Sequence, residues 1–434
     1  MILPVLVFLA PKIEPMKTKY LFRNALLSLF ALVLTDLLGQ ESLPTKGQKD
    51  LGDFISSENA VSADSLVIKK LYLPILPIIG YAPANGFLVG FGLAPAILLD
   101  SSHHTHLSTV LANVQLTSKS QKNANIRHNI YTRKDNWIIQ GDWRILLFTQ
   151  PTYGLGVYDF PPVLALGGMS LGEDDGSQPM NFNYLRLYET VFRRVYQRLY
   201  AGVGFALDYH WDIEDLRLNL DPQSPFLTSH YIYSMIEGYT VSKYTTNGLM
   251  LRAVYDDRDK SVNAHKGIYA DVGFRLNNQI FGSDQNSTQL QLELRKYLTL
   301  EKEKQQLAVW LMSSFILSGS VPYLALPSLG WDTYNRSGRG FIQGRFRGRN
   351  YVYGEAEYRF RLTPSGFLGG VLFLNTLTAD NKYAGQSLGD QFAMGYGAGL
   401  RIKMSKETRI NICIDLGFGS DGSKGIYFGL QEVF

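Results

Sequence analysis

From about residue 71 to its last residue, the chain alternates apolar and polar positions with a period of two. In TQLQLELRKYLTL, Leu290, Leu292, Leu294, Leu298 and Leu300 share one parity, and Gln289, Gln291, Glu293, Arg295 and Thr299 the other. In KGIYADVGFRLN, Ile268, Ala270, Val272, Phe274 and Leu276 oppose Tyr269, Asp271, Arg275 and Asn277; in RINICIDLGF, Ile410, Ile412, Ile414, Leu416 and Phe418 oppose Asn411, Cys413 and Asp415. Side chains of a strand point alternately to two faces, so each segment has one greasy and one polar face. A soluble sandwich gives the same alternation with its apolar faces packed together. Two features select a membrane barrel instead. The segments are long, often ten residues or more, and the connections alternate in length. Those near Lys134–Asp135, Gln197–Arg198, 301–304, 363–365 and 405–407 are tight, whereas 150–179, 213–242, 320–349 and 377–390 are long. The pattern predicts an all-β fold, a transmembrane antiparallel β-barrel of about 16 strands. Lipid leaves no unpaired backbone, so the sheet must close, the first strand (about 71–82) against the last (about 424–434). Pro74, Pro77 and Pro83 lack the N–H a ladder needs, and they point to a seam with few hydrogen bonds.

Before the alternation begins, Lys17, Lys19 and Arg23 precede the apolar run NALLSLFALVLTDLLGQ. This reads as a secretory signal peptide over 1–40, cleaved near Gly39–Gln40, with the true start at Met16 and an over-extended segment before it. Residues 41–70 are polar and aperiodic and read as a flexible periplasmic lead-in; the barrel occupies 71–434. Only 18% of the 434 residues are charged, against 13% aromatic and 41 glycines, which suits a large β-protein. The net charge of +4 gives no case for nucleic acid. Cys413, the one cysteine, has no internal partner.

Three stretches carry chemistry of their own. In GRGFIQGRFRGRN, arginines alternate with glycines inside the long 320–349 connection. On the strand that follows, Glu355, Glu357, Arg359 and Arg361 share the polar parity, which faces the lumen, and Asp415 does likewise near the C-terminus. In YDDRDKSVNAHKGIYADVGF, Asp257, Arg258 and Asp259 sit in a turn where they can cap each other. GIYFGLQEVF puts Ile426, Phe428, Leu430 and Phe434 on one parity and predicts a terminal aromatic at the lipid interface that closes the barrel. His103, His104 and His106 read as a solvated turn and not a metal site, for want of a fourth ligand. GFGLAPA and GYGAGL are glycine-rich strands, not phosphate loops, because no helix follows them. No nucleophile motif is present. We expect no enzyme activity, metal or cofactor.

Together the three stretches resemble the BamA/TamA family of outer-membrane proteins, the bacterial surface-antigen superfamily. Asp257, Arg258, Asp259 and Gly267 match that family's periplasmic turn, with Ala264 where a proline is usual. Gly338, Arg339, Gly340 and Phe341 match the loop motif that the family folds back into the lumen, and Phe428, Leu430 and Phe434 match its closing hairpin. The resemblance implies that Arg339 is held by acidic wall residues, of which parity offers Glu355, Glu357 and Asp415. It also implies a place in the bacterial outer membrane, among lipid and lipopolysaccharide. The role implied is outer-membrane protein insertion or substrate translocation, with client barrels as partners. The lead-in is too short for a POTRA domain, so a POTRA-bearing or chaperone partner would have to supply one. The alternative is a passive channel, receptor or structural barrel.

Overall fold

The computed structural model describes residues 48–51, 53, 75–93, 95–97, 99, 105, 108–157, 163–164, 169–170, 176–261, 263–300, 304–406 and 409–434. The expected leader and the three histidines at 103–106 lie outside them.

Sixteen antiparallel strands form the wall. They are β1 (Ile75–Ala82), β2 (Gly86–Leu93, resuming at Ala96–Ile97), β3 (Ser108–Thr117), β4 (Lys122–Tyr131), β5 (Trp137–Thr152) and β6 (Gln178–Tyr196). Then come β7 (Leu199–Asp215), β8 (Tyr244–Asp256), β9 (Gly267–Asn277), β10 (Ser287–Leu300) and β11 (Gln305–Gly319). The last five are β12 (Asn350–Arg361), β13 (Leu368–Ala379), β14 (Ala393–Ser405), β15 (Ile410–Gly419) and β16 (Lys424–Leu430). Each strand pairs with its neighbours in the sequence, from β1–β2 through to β15–β16. β1 and β16 lie side by side, and Pro83 packs against Gly425. Among the described residues, however, no ladder register joins them. These two strands have 8 and 7 residues, whereas β5, β6 and β7 have 16, 19 and 17. The seam is therefore the thinnest part of a nearly closed cylinder.

The predicted parity holds around the wall. Phe87, Val89 and Phe91 on β2, Val203 and Phe205 on β7, Leu372 and Leu374 on β13, and Ile426 and Phe428 on β16 all face outward and exposed. In water such a belt would be a large unfavourable apolar surface; in a bilayer it is solvated. The opposite parity is buried against the lumen contents. The long connections all emerge at one end, as 153–177, 216–243, 320–349 and 380–392. The 216–243 connection contains a helix the periodicity did not predict, α1 (Ser229–Glu237). The Thr228 side chain caps its N-terminus by accepting from the Tyr231 N–H, and Gly238 ends it in a left-handed conformation.

Two expectations need correction. Phe428 and Leu430 keep the outward parity, but Phe434 does not reach the lipid interface. β16 stops at Leu430, and Gln431 takes a positive φ of 72°. The last residues thereby turn into the barrel, where Phe434 is 6% exposed and packs on Trp310 and Tyr297. The lead-in, predicted to be flexible, is also tied down at one point. The Lys49 and Leu51 N–H groups donate to the Ser365 and Lys403 carbonyls (3.1 and 3.0 Å), and Asp53 pairs with Lys406 (2.7 Å).

Candidate functional site

The 320–349 connection does not extend outward but descends into the barrel, where its arginines end on the wall. Gly338 and Gly340 permit the descent. Both have positive φ (85° and 105°), and a Cβ on either would lie 2.4 Å from Leu329 or 2.6 Å from the Phe418 carbonyl. The wall is thinned to receive the loop. Gly395 pairs with Gly419 and Gly397 with Gly417, across β14 and β15. A Cβ on Gly395, Gly417 or Gly419 would strike Arg339 O, Gly340 N or the Phe341 ring, at 2.5–2.7 Å. GYGAGL, expected as a glycine-rich strand, is part of β14, and its glycines make room for the loop. The available signal was a run of glycines on the lumen-facing parity of adjacent strands.

Arg339 sits 3% exposed in a box of acids. Its Nη1 donates to Asp415 Oδ2 (2.7 Å), and its Nη2 donates to Glu355 Oε1 and Glu357 Oε1. The guanidinium lies over the Phe373 ring, 3.8 Å from its centre. The Asn375 amide holds the Arg339 carbonyl at 2.9 Å. All three acidic partners expected from parity thus meet the arginine. Phe341 of the same motif is buried and packs edge-on against Phe346 (5.2 Å). A planar guanidinium suits such a site because it offers a fixed fork of donors.

The network extends in two directions that parity did not reveal. Glu357 also accepts from Arg359 Nε (2.6 Å), and Asp415 from Arg401. Arg401 and Asn411 each hold Glu432 at 2.7 Å. Arg359 Nη2 donates to the Phe434 carbonyl (3.1 Å), so the inturned C-terminus joins the same array. From the loop side, Arg336 donates to the Leu430 carbonyl (3.0 Å) and to that of Glu432. On β16, Tyr427 OH accepts from Gly340 N (2.9 Å) and donates to Phe341 O (3.1 Å), and just before the strand Ser423 Oγ donates to Gly340 O (2.6 Å). The remaining arginines of the stretch brace the loop. Arg345 pairs with Asp421 (2.9 Å), and Arg347 and Arg349 donate to the Tyr323 and Gly319 carbonyls (2.6 and 2.8 Å). On the far wall, Arg144 grips the loop at Asn335 Oδ1 (2.7 Å) and Thr333 O (2.6 Å). Below the loop, a chamber of ≈ 420 Å³ remains, lined by residues such as Arg186, Arg252, Arg275, Tyr188, Asp271 and Phe434.

The acidic turn at the opposite end is a separate construction. Arg258 pairs with Asp256 (2.7 Å) and Asp257 with Arg198. Asp259 pairs with Arg409 (2.6 Å) and accepts from the His265 N–H (2.9 Å). Gly267 has a φ of 105°, and a Cβ there would lie 2.2 Å from the Asp257 carbonyl. Burial opposes the Asp259 carboxylate, but Arg409 and the turn N–H groups outweigh it and hold its pKa below the usual value. Burial, then Arg409, pushes the half-buried His265 down to about 3. These groups cap one another and tie the turn to Arg198 in the β6–β7 turn and Arg409 in the β14–β15 turn, a structural task. Among the described residues, no group of His, Cys, Asp and Glu could hold a metal ion.

Comparison with known proteins agrees with this geometry. An Omp85 superfamily domain matches residues 192–434, more than half of the chain. Among solved structures, BamA from Haemophilus ducreyi lacking POTRA domains 1–3 aligns with a TM-score of 0.52 at 14% identity, covering 84% of this chain and 70% of that one. CdiB from Acinetobacter baumannii aligns at 0.50 and 11%, and CdiB from Escherichia coli at 0.53 and 10%; each covers 84% of this chain. The chain spans 65% and 63% of those two CdiB chains, less than two thirds. At such identities the likeness is one of fold. No curated protein matches. The inward loop, its arginine box and the family match converge: the chain belongs to the Omp85 superfamily.

Proposed function

We propose that this protein is a bacterial outer-membrane barrel that promotes assembly of other proteins at its β1–β16 seam, with the 320–349 loop as the brace that keeps the cylinder in shape. One observation carries the reading: the loop crosses and blocks the lumen above the chamber while the seam is unregistered. From one side the Arg339 box holds the loop across the interior; from the other, Glu432 and Phe434 turn in beneath it. A lumen crossed by an anchored loop argues against a passive channel and against threading a chain through the centre. An edge without a ladder offers strand N–H and C=O groups to an incoming strand, which is strand addition. With no nucleotide available outside the inner membrane, the free energy would come from the client's own folding. The membranes are bacterial outer-membrane lipid and lipopolysaccharide, and the partners are client barrel proteins.

The test is depletion in the native host, followed by quantitative proteomics of the outer membrane. Other barrel proteins should fall in abundance. A Pro83→Cys, Gly425→Cys pair, joined across the seam, should reproduce the loss and be relieved by reductant. Unchanged levels of every other barrel would falsify the assembly role, and a large, steady conductance in planar bilayers would point to a channel.

A further inference from the structure

At the end of the barrel opposite the long connections, the short turns gather positive charge around a crevice of ≈ 100 Å³ beneath the inturned C-terminus. Arg359 and Arg361 reach it from the end of β12, and Arg401 and Lys403 from β14. Lys406 and Arg409 come from the turn after β14, and Lys304 stands just before β11. Among the described residues, Glu432 is the one carboxylate in the lining. The other acids that pair with these cations stand outside the lining, and two of them are divided. Glu357, which holds Arg359, and Asp415, which holds Arg401, both also serve Arg339.

Two features aim this charge at a ligand. The first is Arg359, which is 7% exposed. Its Nε donates to Glu357 (2.6 Å) and its Nη2 to the Phe434 carbonyl (3.1 Å), but its Nη1 has no hydrogen-bond partner among the described residues. A buried donor left without an acceptor is costly, and native structures satisfy nearly all of them. The second is a gap in the wall. Arg361, Gly369 and Arg401 lie in register across β12, β13 and β14. The two arginines share the inward parity, so Gly369 leaves an open space between strands roughly 10 Å apart, at about 4.8 Å per pairing. A side chain there would close it: a Cβ on Gly369 would lie 3.5 Å from Arg401 Cβ and 3.0 Å from the Phe360 carbonyl. The turn after β12 adds a further head. The Cβ position of Gly366 is 3.3 Å from Arg361 Nε and 3.6 Å from Lys403 Nζ, so the two cations meet over that glycine. His265 lines the same crevice, and its low pKa fits the surroundings. Burial comes first, then Arg409, with Arg359 and Lys403 adding to it against Asp259.

A carboxylate brings one charge and two oxygens. Guanidinium forks and ammonium groups converging from several elements suit a tetrahedral dianion, which accepts from all of them at once. We propose that this crevice is a phosphate-binding site, in which a phosphate group lies over Gly369 between Arg361 and Arg401 and accepts from Arg359 Nη1. The bound group ties β12 to β14. It also reaches the lead-in, because Lys403 donates to Gln48 at 2.7 Å on the rim of the crevice. The site uses neither the seam nor the Arg339 box and stands apart from the assembly role.

Equilibrium dialysis of the full-length protein, purified in detergent without phosphate, against radiolabelled inorganic phosphate tests this. One saturable site is expected. Arg361→Gln combined with Lys403→Gln should weaken binding about tenfold or more. Gly369→Leu keeps every cation but fills the gap, and should weaken it as much. Heat-modifiable gel mobility verifies that each variant folds. Competition then identifies the source, and each of its three results upholds the site. Displacement by glycerol phosphate marks a soluble phosphomonoester, displacement by phosphatidate vesicles marks a lipid headgroup, and displacement by neither leaves inorganic phosphate itself. Absence of saturable binding overturns the proposal. So does either folded variant binding like the parent, or acetate displacing the label as well as unlabelled phosphate does, which would mark a carboxylate site.

Discussion

Arg339 is the residue on which the interior depends. Its removal leaves Glu355 and Glu357 facing each other in a dry box, with Asp415 beside them. Breaking a buried pair in this way costs about 3–5 kcal/mol. Arg339→Ala should therefore release the 320–349 loop, seen as new protease cleavage within it and a lower unfolding temperature. Arg339→Lys should rescue little, because an ammonium cannot serve three carboxylates with one planar fork. Glu355→Gln in the Arg339→Ala background should recover part of the loss, because Glu357 keeps Arg359 as a partner. Parity alone placed Glu355, Glu357 and Asp415 on the lumen side and so made the box legible in the sequence. It could not reveal Glu432 or Phe434 in the same array. The outward parity of Ile426 and Phe428 runs straight through Phe434, and only the positive φ at Gln431, a residue type that rarely adopts it, breaks the strand. Phe434→Ala should cost about 3–5 kcal/mol and open the chamber beneath the loop, measurable as an increase in residual conductance.

At the scale of elements, strands were readable because lipid on one side and a polar lumen on the other enforce a strict period of two. Elements whose cause is tertiary were not. The helix Ser229–Glu237 is held by the 320–349 loop, where the buried Tyr233 donates its OH to Val321 O (2.8 Å), and the lead-in is fixed at Gln48–Asp53 by turns more than 300 residues away. The glycine recess on β14 and β15 predicts its own perturbation. Gly417→Val should push the loop tip off the wall, since even a Cβ would sit 2.7 Å from Gly340 N; loop proteolysis should then match that of Arg339→Ala. The turn at 257–266 predicts a pH dependence. His265 titrates near 6.5 when unfolded but at about 3 when folded, so the unfolded chain binds more protons between those values. Stability falls as pH is lowered through that window, and Asp259, also depressed, adds to the loss below its ordinary 3.8. His265→Gln should flatten the slope of unfolding midpoint against pH between 6.5 and 4.

For the molecule as a whole, strength is distributed unevenly around the ring. β5 to β7 are joined by long registers, while β1 and β16 are short and share none among the described residues. The strand β16 and its flanking residues nevertheless have a second attachment: Ser423, Tyr427, Leu430 and Glu432 bind the loop or its arginines. Among the described residues, β1 contributes no hydrogen bond to that loop. The two sides of the gap are then a fixed jamb and a swinging leaf. If the cylinder parts, it is the N-terminal leaf that travels, and a fluorophore near residue 79 should report a wider range of distances than one at residue 427.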